Sequence, residues 1–474
     1  MMQPLISSRR GLPLYNFQKK GFQFIHYHGA CYLMLDMGMG KTRICIEVGR
    51  TLDYPLFVLA PKFAAVETWP DEFRKWNPHE KIAVLHGPNK ERIWANSDKY
   101  TNIIMNYDGL KWFNKVAHKK LRPLQKYMFV FDEASMIKNW ESNRWLILNS
   151  MKPIMSPYRV ALSGTPTPQS LQDLWAQYHM LDEGKALGAD YYGFRNRFFN
   201  YTGPDGDPPY QTTIKSFADT KIHELIKPIT MRLKAEDYLD LPTVIYNHVK
   251  VTLPNNLRRK YNQIEDEFML EFPTATVMAN SSAVRDHKLR QFLQGAIYAT
   301  PNEQFGAHHR LPAVTQPIHT IKAQVIKQML ETSVGKPLLV AVQFKFEIKI
   351  LEKVLRGGRK IPAITGQTSG AEGKRLIQKW NRGEIPLMVV HPKSVAYSLN
   401  LQFGGNQVVW AALPWELDLF LQLNRRLVRP GQASDKVVIT TIGFRDTVDD
   451  KVALYLRRKD KTQEGLFNAI NEGR

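Results

Sequence analysis

The sequence is poor in cysteine and has no long apolar segment, and both absences narrow the class of protein. Only Cys31 and Cys45 occur among 474 residues, so there is no disulfide framework, and their separation matches no zinc-ligand spacing. No apolar stretch approaches the roughly 18 residues of a membrane span, and the N-terminal segment lacks the apolar centre of a signal peptide. These features favour a protein of the reducing cytoplasm without a membrane partner.

Acidic residues are outnumbered by basic ones. The chain has 65 Lys and Arg against 44 Asp and Glu, a net charge of +21, and this excess attracts nucleic acid and acidic membrane surfaces alike. Nucleic acid is the commoner partner. A basic surface that serves only to keep the protein soluble would show the same excess of Lys and Arg. Hydrophobic residues make up 43%, which is close to the globular average, so we expect buried cores. The length suggests two domains and an additional segment.

Short apolar runs occur in two groups with a mixed region between them. The first group lies at 32–36, 56–61, 102–106, 128–133 and 159–164, and the second at 338–344, 385–392, 407–413 and 437–443. Each run predicts a buried strand, and the segments between runs are long enough for crossover helices. The sequence therefore predicts an α/β fold with two parallel-sheet lobes. The mixed region, with a turn-rich stretch at 203–209 and a predicted helix at 255–272, is interpreted as an insertion or linker.

The first predicted strand runs into a glycine-containing loop that is followed by a helical pattern. Gly38 and Gly40 would let backbone N–H groups turn toward phosphates, Lys41 would supply a positive charge, and Thr42 would ligate Mg²⁺. The strict phosphate-loop pattern has glycine where Leu35 stands, so a plain glycine-rich turn is the alternative. The strand before and the helix after favour the phosphate-binding interpretation.

Two further strand ends carry polar residues suited to phosphoryl chemistry. Asp132 would hold Mg²⁺ and Glu133 would orient or deprotonate the attacking water. The alternative for this pair is a solvated acidic strand end. Ser163 and Thr165 follow the last strand of the first group and would hydrogen-bond the metal-binding carboxylate; an ordinary turn is their alternative.

The second lobe contains a pair of arginines, Arg426 and Arg429, whose spacing predicts that they lie on one face of a helix. Arginines supplied by a second domain stabilise the charge on a transferred γ-phosphate and make hydrolysis depend on closure of the two lobes. The alternative is a basic helix face that contacts solvent or DNA phosphates.

Taken in order, the motifs resemble helicase superfamily two, and specifically its SWI/SNF-type branch of double-stranded DNA translocases, over nearly the whole chain. The segments that carry the resemblance are LYNFQKKGFQFI, LDMGMGKT, PKFAAVETWPDEFRKW, NYDGL, DEASMIKN, LSGTP, MRLKAEDYLDLP, KLRQFLQGAIY, VAYSLNLQ, QLNRRLVRPGQ and DTVDDKVALYLRRK. The resemblance implies two RecA-like lobes with helical insertions between them. The implied boundaries are 1–182 for the first lobe, 183–320 for the protrusions and linker, 321–445 for the second lobe, and 446–474 for a bracing helix and tail.

The resemblance also implies roles for single residues. Gln18 would read adenine, and the residues implied to contact DNA are Lys62, Tyr107, Ser163, Thr165 and Asn400. The family usually has His where Ser135 stands, so the link between nucleotide state and the DNA-contact motifs is expected to be weaker or rerouted. Trp69 and Trp76 are expected in the core rather than stacked on bases.

The expected function is that of a nucleic-acid-dependent ATPase that translocates on double-stranded DNA through sequence-independent backbone contacts. ATP and Mg²⁺ would bind between the lobes, held by Lys41, Thr42 and Asp132 from one side and by Arg426 and Arg429 from the other. The chain is expected to be a monomeric, minimal motor of the cytoplasm, that of the host cell if a phage encodes it. Two alternatives are a strand-separating DNA or RNA helicase and a non-hydrolysing DNA-binding clamp.

Overall fold

The two groups of apolar runs belong to different parts of the folded chain. The computed structural model describes residues 13–116, 124–164, 166–167, 170–202, 211–273, 275–279, 281–301, 313–333, 335–395 and 400–471. Contacts divide the chain into a first unit, Met1–Leu239 with Lys459–Arg474, and a second unit, Asp240–Arg458. The predicted turn-rich stretch at 203–209 and Thr165 lie outside the described residues.

The first unit is built on a seven-stranded sheet in the order β3-β4-β2-β5-β6-β1-β9. Its strands are β1 (Ala30–Leu35), β2 (Leu56–Ala60), β3 (Ile82–Leu85), β4 (Asn102–Asn106), β5 (Met128–Asp132), β6 (Arg159–Leu162) and β9 (Thr230–Leu233), and β7 (Phe199–Thr202) and β8 (Gln211–Ile214) form a separate hairpin. Every pairing in the seven-stranded sheet is parallel. All of the runs predicted for this lobe are strands.

Helices flank this sheet and complete its core. They are α1 (Asn16–His28), α2 (Lys41–Thr51), α3 (Trp69–Trp76), α4 (Lys90–Ala95), α5 (Leu110–Val116), α6 (Asn143–Met151), α7 (Asp173–Asp182), α8 (Tyr191–Phe198) and α9 (Ala218–Ile226). The strands β2 and β4 are buried at every residue, as expected for a parallel sheet covered on both faces. Ser142 begins α6 by accepting a hydrogen bond from the backbone of Trp145, which satisfies an N–H group that the helix itself leaves unpaired.

The second unit contains a six-stranded parallel sheet in the order β10-β19-β18-β15-β17-β16 and a four-stranded antiparallel sheet in the order β11-β12-β13-β14. The strands are β10 (Thr243–Val251), β11 (Met269–Phe272), β12 (Ala275–Met278), β13 (Ala296–Pro301), β14 (Val314–Pro317), β15 (Leu338–Ala341), β16 (Ala363–Ile364), β17 (Leu387–Val390), β18 (Gln407–Trp410) and β19 (Lys436–Phe444). The four runs predicted for this lobe are strands of the parallel sheet, which confirms the predicted fold class.

One helix of the second unit is shorter than predicted. The helices of this unit are α10 (Asn255–Glu267), α11 (Ser282–Leu293), α12 (Ile321–Thr332), α13 (Lys345–Arg356), α14 (Gly370–Asn381), α15 (Pro392–Val395) and α16 (Leu417–Asn424). The last helix, α17 (Val448–Asn471), begins in the second unit and continues into residues that belong to the first. The predicted helix at 255–272 was wrong in its last residues. Phe268 adopts a left-handed conformation with φ 58°, which ends α10 after Glu267, and β11 then pairs with β12.

The region that the sequence assigns to one insertion contributes strands to both large sheets. β9 pairs with β1 in the first unit, and β10 pairs with β19 over nine residues in the second unit. The two units meet in sequence between Leu239 and Asp240, inside that region. In the part of the chain that the structure describes, no helix is both long and apolar enough to cross a membrane.

The second unit encloses a cluster of buried ionisable side chains. The ammonium group of Lys322 on α12 donates to the Asp449 carboxylate at 2.9 Å and to the Ala411 carbonyl oxygen at 2.8 Å. Glu347 on α13 accepts hydrogen bonds from the backbone N–H groups of Gln343 and Phe344 with a single carboxylate oxygen. Burial raises the pKa of Glu347 from 4.5 to about 7, so the second unit favours the protonated form of this side chain.

Replacing Glu347 with Gln tests this burial, because the amide keeps an acceptor oxygen and removes the ionisable group. A carboxyl group whose pKa is higher in the folded than in the unfolded chain stabilises the fold when it is protonated. This stabilisation is fully present below about pH 4.5 and is lost as pH rises through about 7. We expect the stability of the wild type relative to Glu347→Gln to fall by about 2–3 kcal/mol between pH 5 and pH 8. Urea unfolding at both pH values measures it, with the exposed Glu331→Gln as a control. A stability difference that is independent of pH would contradict the prediction.

Candidate nucleotide-binding site

The loop between β1 and α2 has the backbone shape of a phosphate cradle. Gly38 and Gly40 adopt positive φ values of 84° and 71°, and a Cβ atom at Gly40 would lie 2.3 Å from the side-chain nitrogen of Gln18. Lys41 begins α2, and its ammonium group donates to the Leu35 carbonyl oxygen at 2.8 Å. The lysine charge and the N-terminus of an 11-residue helix thus meet at this loop, together with the half-buried Thr42.

A buried ion pair holds the start of this loop. One carboxylate oxygen of Asp36 accepts from the Arg232 guanidinium at 2.9 Å, and the other accepts from the backbone N–H of Ala235 at 2.9 Å. Arg232 also donates to the Met34 carbonyl oxygen at 2.8 Å. The pair therefore attaches β9 to the residue that leads into the phosphate loop. Sequence reasoning missed Arg232 as a site residue, although the MRLK segment was noted as part of the resemblance.

Gln18, the predicted adenine-reading residue, contacts the same loop. Its side-chain N–H donates to the Met39 carbonyl oxygen at 3.3 Å, and its side-chain oxygen accepts from the backbone N–H of Tyr15 at 3.2 Å. Only 4% of Gln18 is exposed. The side chain thus braces the phosphate loop from α1, and its contact with adenine stays a prediction.

The sheet places Asp132 at the same edge as the phosphate loop. Asp132 ends β5 and pairs with Leu162 of β6, and Leu162 in turn pairs with Leu33 of β1. Neighbouring strands lie about 4.8 Å apart, so Asp132 and β1 are separated by roughly 10 Å across the sheet. The carboxyl ends of parallel strands form the usual ligand crevice of such sheets. The predicted metal ligand and phosphate loop are therefore brought together.

Glu133 has a strained backbone. Its φ and ψ are 54° and 60°, in the left-handed region, which costs a non-glycine residue on the order of 1–3 kcal/mol and is concentrated at functional sites. Its carbonyl oxygen accepts from the N–H of Met136 at 2.9 Å, so the chain turns sharply away from β5 here. This conformation fits a residue placed to act on a ligand beyond the strand end.

Two aromatic residues fix the position of Asp132. The indole N–H of Trp69 donates to an Asp132 carboxylate oxygen at 2.9 Å, and the hydroxyl of Tyr107 donates to the Asp132 carbonyl oxygen at 2.9 Å. Trp69 is fully buried, which confirms its predicted place in the core. Its contact with the site was missed, because no local pattern relates residues 63 positions apart.

The residues predicted to contact DNA in the first unit divide into exposed and buried ones. Lys62 is exposed, as a contact with a DNA backbone requires. Tyr107 is 1% exposed and Ser163 is 0% exposed, so neither side chain is accessible in this conformation, and their contacts with DNA stay predictions. The Tyr107 hydroxyl is directed into the unit toward Asp132, and the backbone N–H of Ser163 donates to the Leu33 carbonyl oxygen at 3.3 Å. Thr165 lies outside the described residues.

In the second unit the two predicted arginines follow a helix instead of lying on one. α16 ends at Asn424, and turns carry Arg426 and Arg429, so the predicted helix face was wrong. Pro430 accounts for the backbone at Arg429, because proline disfavours helical conformation at the residue before it. Arg426 is 4% exposed.

Arg429 is linked to a predicted DNA-contact residue. Its guanidinium donates to the Asn400 side-chain oxygen and, at 3.0 Å, to the Arg425 carbonyl oxygen. Burial lowers the pKa of Arg429 to about 10, so the group stays protonated at neutral pH. Asn400 itself is exposed. The structure thus brings together two site residues that were predicted from different motifs.

Family models match both units. The model described as the SNF2-related domain matches residues 17–300, and the model described as the helicase conserved C-terminal domain matches residues 321–431. The first model alone covers more than half of the chain, so the chain belongs to the SNF2-related family. It is a nucleic-acid-dependent ATPase of helicase superfamily two.

Individual proteins are similar over most of the chain. Protein p41 of Acyrthosiphon pisum secondary endosymbiont phage 1 is 30% identical over 92% of this chain and 93% of its own length. A Bacillus subtilis (strain 168) protein named as an ATP-dependent helicase/translocase is 24% identical over 96% of this chain, which spans about half (49%) of that protein. The Sulfolobus solfataricus SWI2/SNF2 ATPase core, solved in complex with double-stranded DNA, is 21% identical with a TM-score of 0.44, and the match covers 98% of this chain and 96% of that one.

Replacing Arg232 with Ala tests the clamp on the phosphate loop. The substitution leaves the Asp36 carboxylate in its buried position without its guanidinium partner, and we expect the first unit to lose about 3–5 kcal/mol of stability. At temperatures where the variant remains folded, the KM for ATP is expected to rise, because the residue before the loop is no longer held. Urea unfolding and steady-state ATPase kinetics measure the two effects.

The control is Arg144→Ala, which removes an ion pair with Asp108 whose side chains are 38% and 68% exposed. An exposed pair contributes about 0–1 kcal/mol. Equal losses of stability in the two variants would show that the Asp36–Arg232 pair has no special role.

Proposed function

We propose that the chain is an ATP-driven motor that translocates on double-stranded DNA as a monomer. The observation that carries the proposal is the placement of the phosphate loop and Asp132 at one edge of the sheet in a member of the SNF2-related family. The net charge of +21 supports a polyanionic track. The name of the Bacillus subtilis relative, an ATP-dependent helicase/translocase, supports movement along nucleic acid. The phage relative supports action in the cytoplasm of a host cell.

The first unit supplies the groups that hold ATP and its cation. Gly38 and Gly40 have positive φ and carry no Cβ atoms. The ammonium of Lys41, the hydroxyl of Thr42 and, at the same edge of the sheet, the carboxylate of Asp132 form a donor set that fits a triphosphate with Mg²⁺. Lys41 would bind the phosphates, and Thr42 and Asp132 would hold Mg²⁺, which neutralises phosphate charge when bound. Within the described residues no group of three or more His, Cys, Asp and Glu side chains could hold a metal ion, so phosphate oxygens and water would complete the coordination.

The remaining chemical roles are divided between the two units. Glu133 would orient or deprotonate the attacking water, and Gln18 would read adenine at the outer end of the loop. Arg426 and Arg429 would complete the site from the second unit when the units close on ATP. The exposed Lys62 and Asn400 would grip DNA phosphates, one from each unit. Closure and reopening in each catalytic cycle would then move the chain along its track.

An ATPase assay with different nucleic acids tests the proposal. We expect ATP turnover to be stimulated more by linear duplex DNA than by single-stranded DNA or RNA, and the stimulation to fall steeply with salt because phosphate contacts dominate binding. Displacement of a third strand from a DNA triplex measures translocation directly. Lys41→Ala is expected to abolish turnover while the circular dichroism spectrum is unchanged.

Each other result favours a different function. Stronger stimulation by single strands or RNA, with unwinding of a forked duplex, would favour a strand-separating helicase. DNA binding without hydrolysis in the wild type would favour a non-hydrolysing clamp. DNA-stimulated turnover that persists in Lys41→Ala would refute the role given to this lysine.

Arg426→Ala tests the second unit's contribution to hydrolysis. We expect nearly normal ATP binding with turnover reduced about 10³-fold or more, which is the contribution typical of an arginine supplied by a second domain. A fluorescent ATP analogue measures binding and phosphate release measures turnover. Because Arg426 is buried, the matched control is Arg290→Ala, another buried arginine of the second unit, which donates to the Leu413 carbonyl oxygen at 2.6 Å. A similar loss of turnover in both variants would indicate a structural role.

A further inference from the structure

Trp69 connects the site carboxylate to a distant segment of the first unit. Its indole N–H lies 2.9 Å from an Asp132 carboxylate oxygen, and the ring is fully buried. Hydrogen bonds to an ionised acceptor are about twice as strong as those between neutral groups. The indole therefore fixes which way the Asp132 carboxylate faces.

Tyr107 holds the backbone of the same residue. Its hydroxyl donates to the Asp132 carbonyl oxygen at 2.9 Å, directly after the end of β4. Burial, together with the charges of Asp132 and Glu133, raises the pKa of Tyr107 well above its usual range. The hydroxyl is thus a permanent donor at neutral pH. Trp69, in the segment after β2, thus holds the side chain of Asp132, and Tyr107, in the segment after β4, holds its backbone.

The segment that carries Trp69 contains an unusual helical turn. Residues 61–76 include the exposed Lys62 near their start and continue through a π-helical turn, Ala64–Thr68, into α3. The backbone N–H of Trp69 bonds to the carbonyl oxygen of Ala64, five residues back. Such turns are rare, occur often at functional sites, and differ from an α-helical turn by one residue in their hydrogen bonding. A change between the two patterns would rotate Trp69 relative to Lys62 and move its indole away from Asp132.

We propose that Trp69 is a positioning residue that couples contact of residues 61–76 with duplex DNA to the orientation of the Asp132 carboxylate, with Tyr107 fixing the Asp132 backbone. The inference rests on the proposed function. DNA phosphate bound at Lys62 shifts the π-helical turn, the indole follows, and the carboxylate takes the orientation in which it holds the cation of bound ATP. Turnover then rises when the track is bound.

Trp69→Phe tests the coupling, because phenylalanine keeps an aromatic ring and removes the N–H donor. The measured quantity is the stimulation ratio, the ATPase rate with saturating duplex DNA divided by the rate without DNA. We expect this ratio to fall about tenfold, as for the loss of one hydrogen bond to a charged acceptor. The control is Trp145→Phe, which removes an indole N–H that donates to the Ala176 carbonyl oxygen at 2.9 Å in the same unit and is also buried. Its stimulation ratio is expected to equal that of the wild type.

A second variant keeps the test decisive if Trp69→Phe fails to fold. Benzothienylalanine at position 69 has the shape of tryptophan with sulfur in place of the N–H group, so it removes the donor without leaving a cavity. We expect the same loss of the stimulation ratio. Tyr107→Phe is expected to lower the ratio as well, because the Asp132 backbone loses its donor.

The outcomes separate this inference from the proposed function. If nucleic acid does not stimulate the wild type, the proposed function fails. If duplex DNA stimulates the wild type and the position-69 variants keep the wild-type ratio, or lose rate equally with and without DNA, the coupling role of Trp69 is overturned and the proposed function stands.

Discussion

The parallel pairing of β5, β6 and β1 is the constraint on which the nucleotide site depends. The three strands end at one edge of the sheet, so the loop after β1 and the carboxylate after β5 come within roughly 10 Å of each other. Antiparallel pairing would place the two ends on opposite edges. The helices that cross between these strands leave this edge available for a ligand, as is general in open parallel sheets.

Buried charges around this edge are each met by a defined partner. Asp36 is neutralised by Arg232 and by a backbone N–H group, and Asp132 accepts from an indole. Removing an ionised group from water without such partners is strongly unfavourable, so these contacts set the orientation of the two half-buried carboxylates in this conformation. Preorganised groups of this kind need little rearrangement when a charged ligand binds, which suits a site for phosphoryl transfer.

Two unusual backbone conformations lie close to the site carboxylate. Glu133 has a left-handed backbone, and the turn before Trp69 is π-helical. Both features lie beside Asp132, in a unit whose central strands β2 and β4 are buried at every residue. The surrounding aromatic core, in which Phe57 packs against Phe113 and Phe129, supplies the rigidity that keeps these conformations in place.

The sequence by itself determined nine strands of the two parallel sheets and the two-lobe fold class, and it predicted the phosphate loop and the site carboxylates. Each of these depends on neighbouring residues: continuous apolar runs, closely spaced glycines, and a helical pattern that starts at Lys41. Only the tertiary structure decided that Arg232 clamps Asp36 and that Trp69 holds Asp132, since these pairs are 196 and 63 residues apart. It also decided that Tyr107 and Ser163 are buried and that β9 completes the first sheet. Contacts between distant segments form only when the chain packs, and no local pattern encodes them.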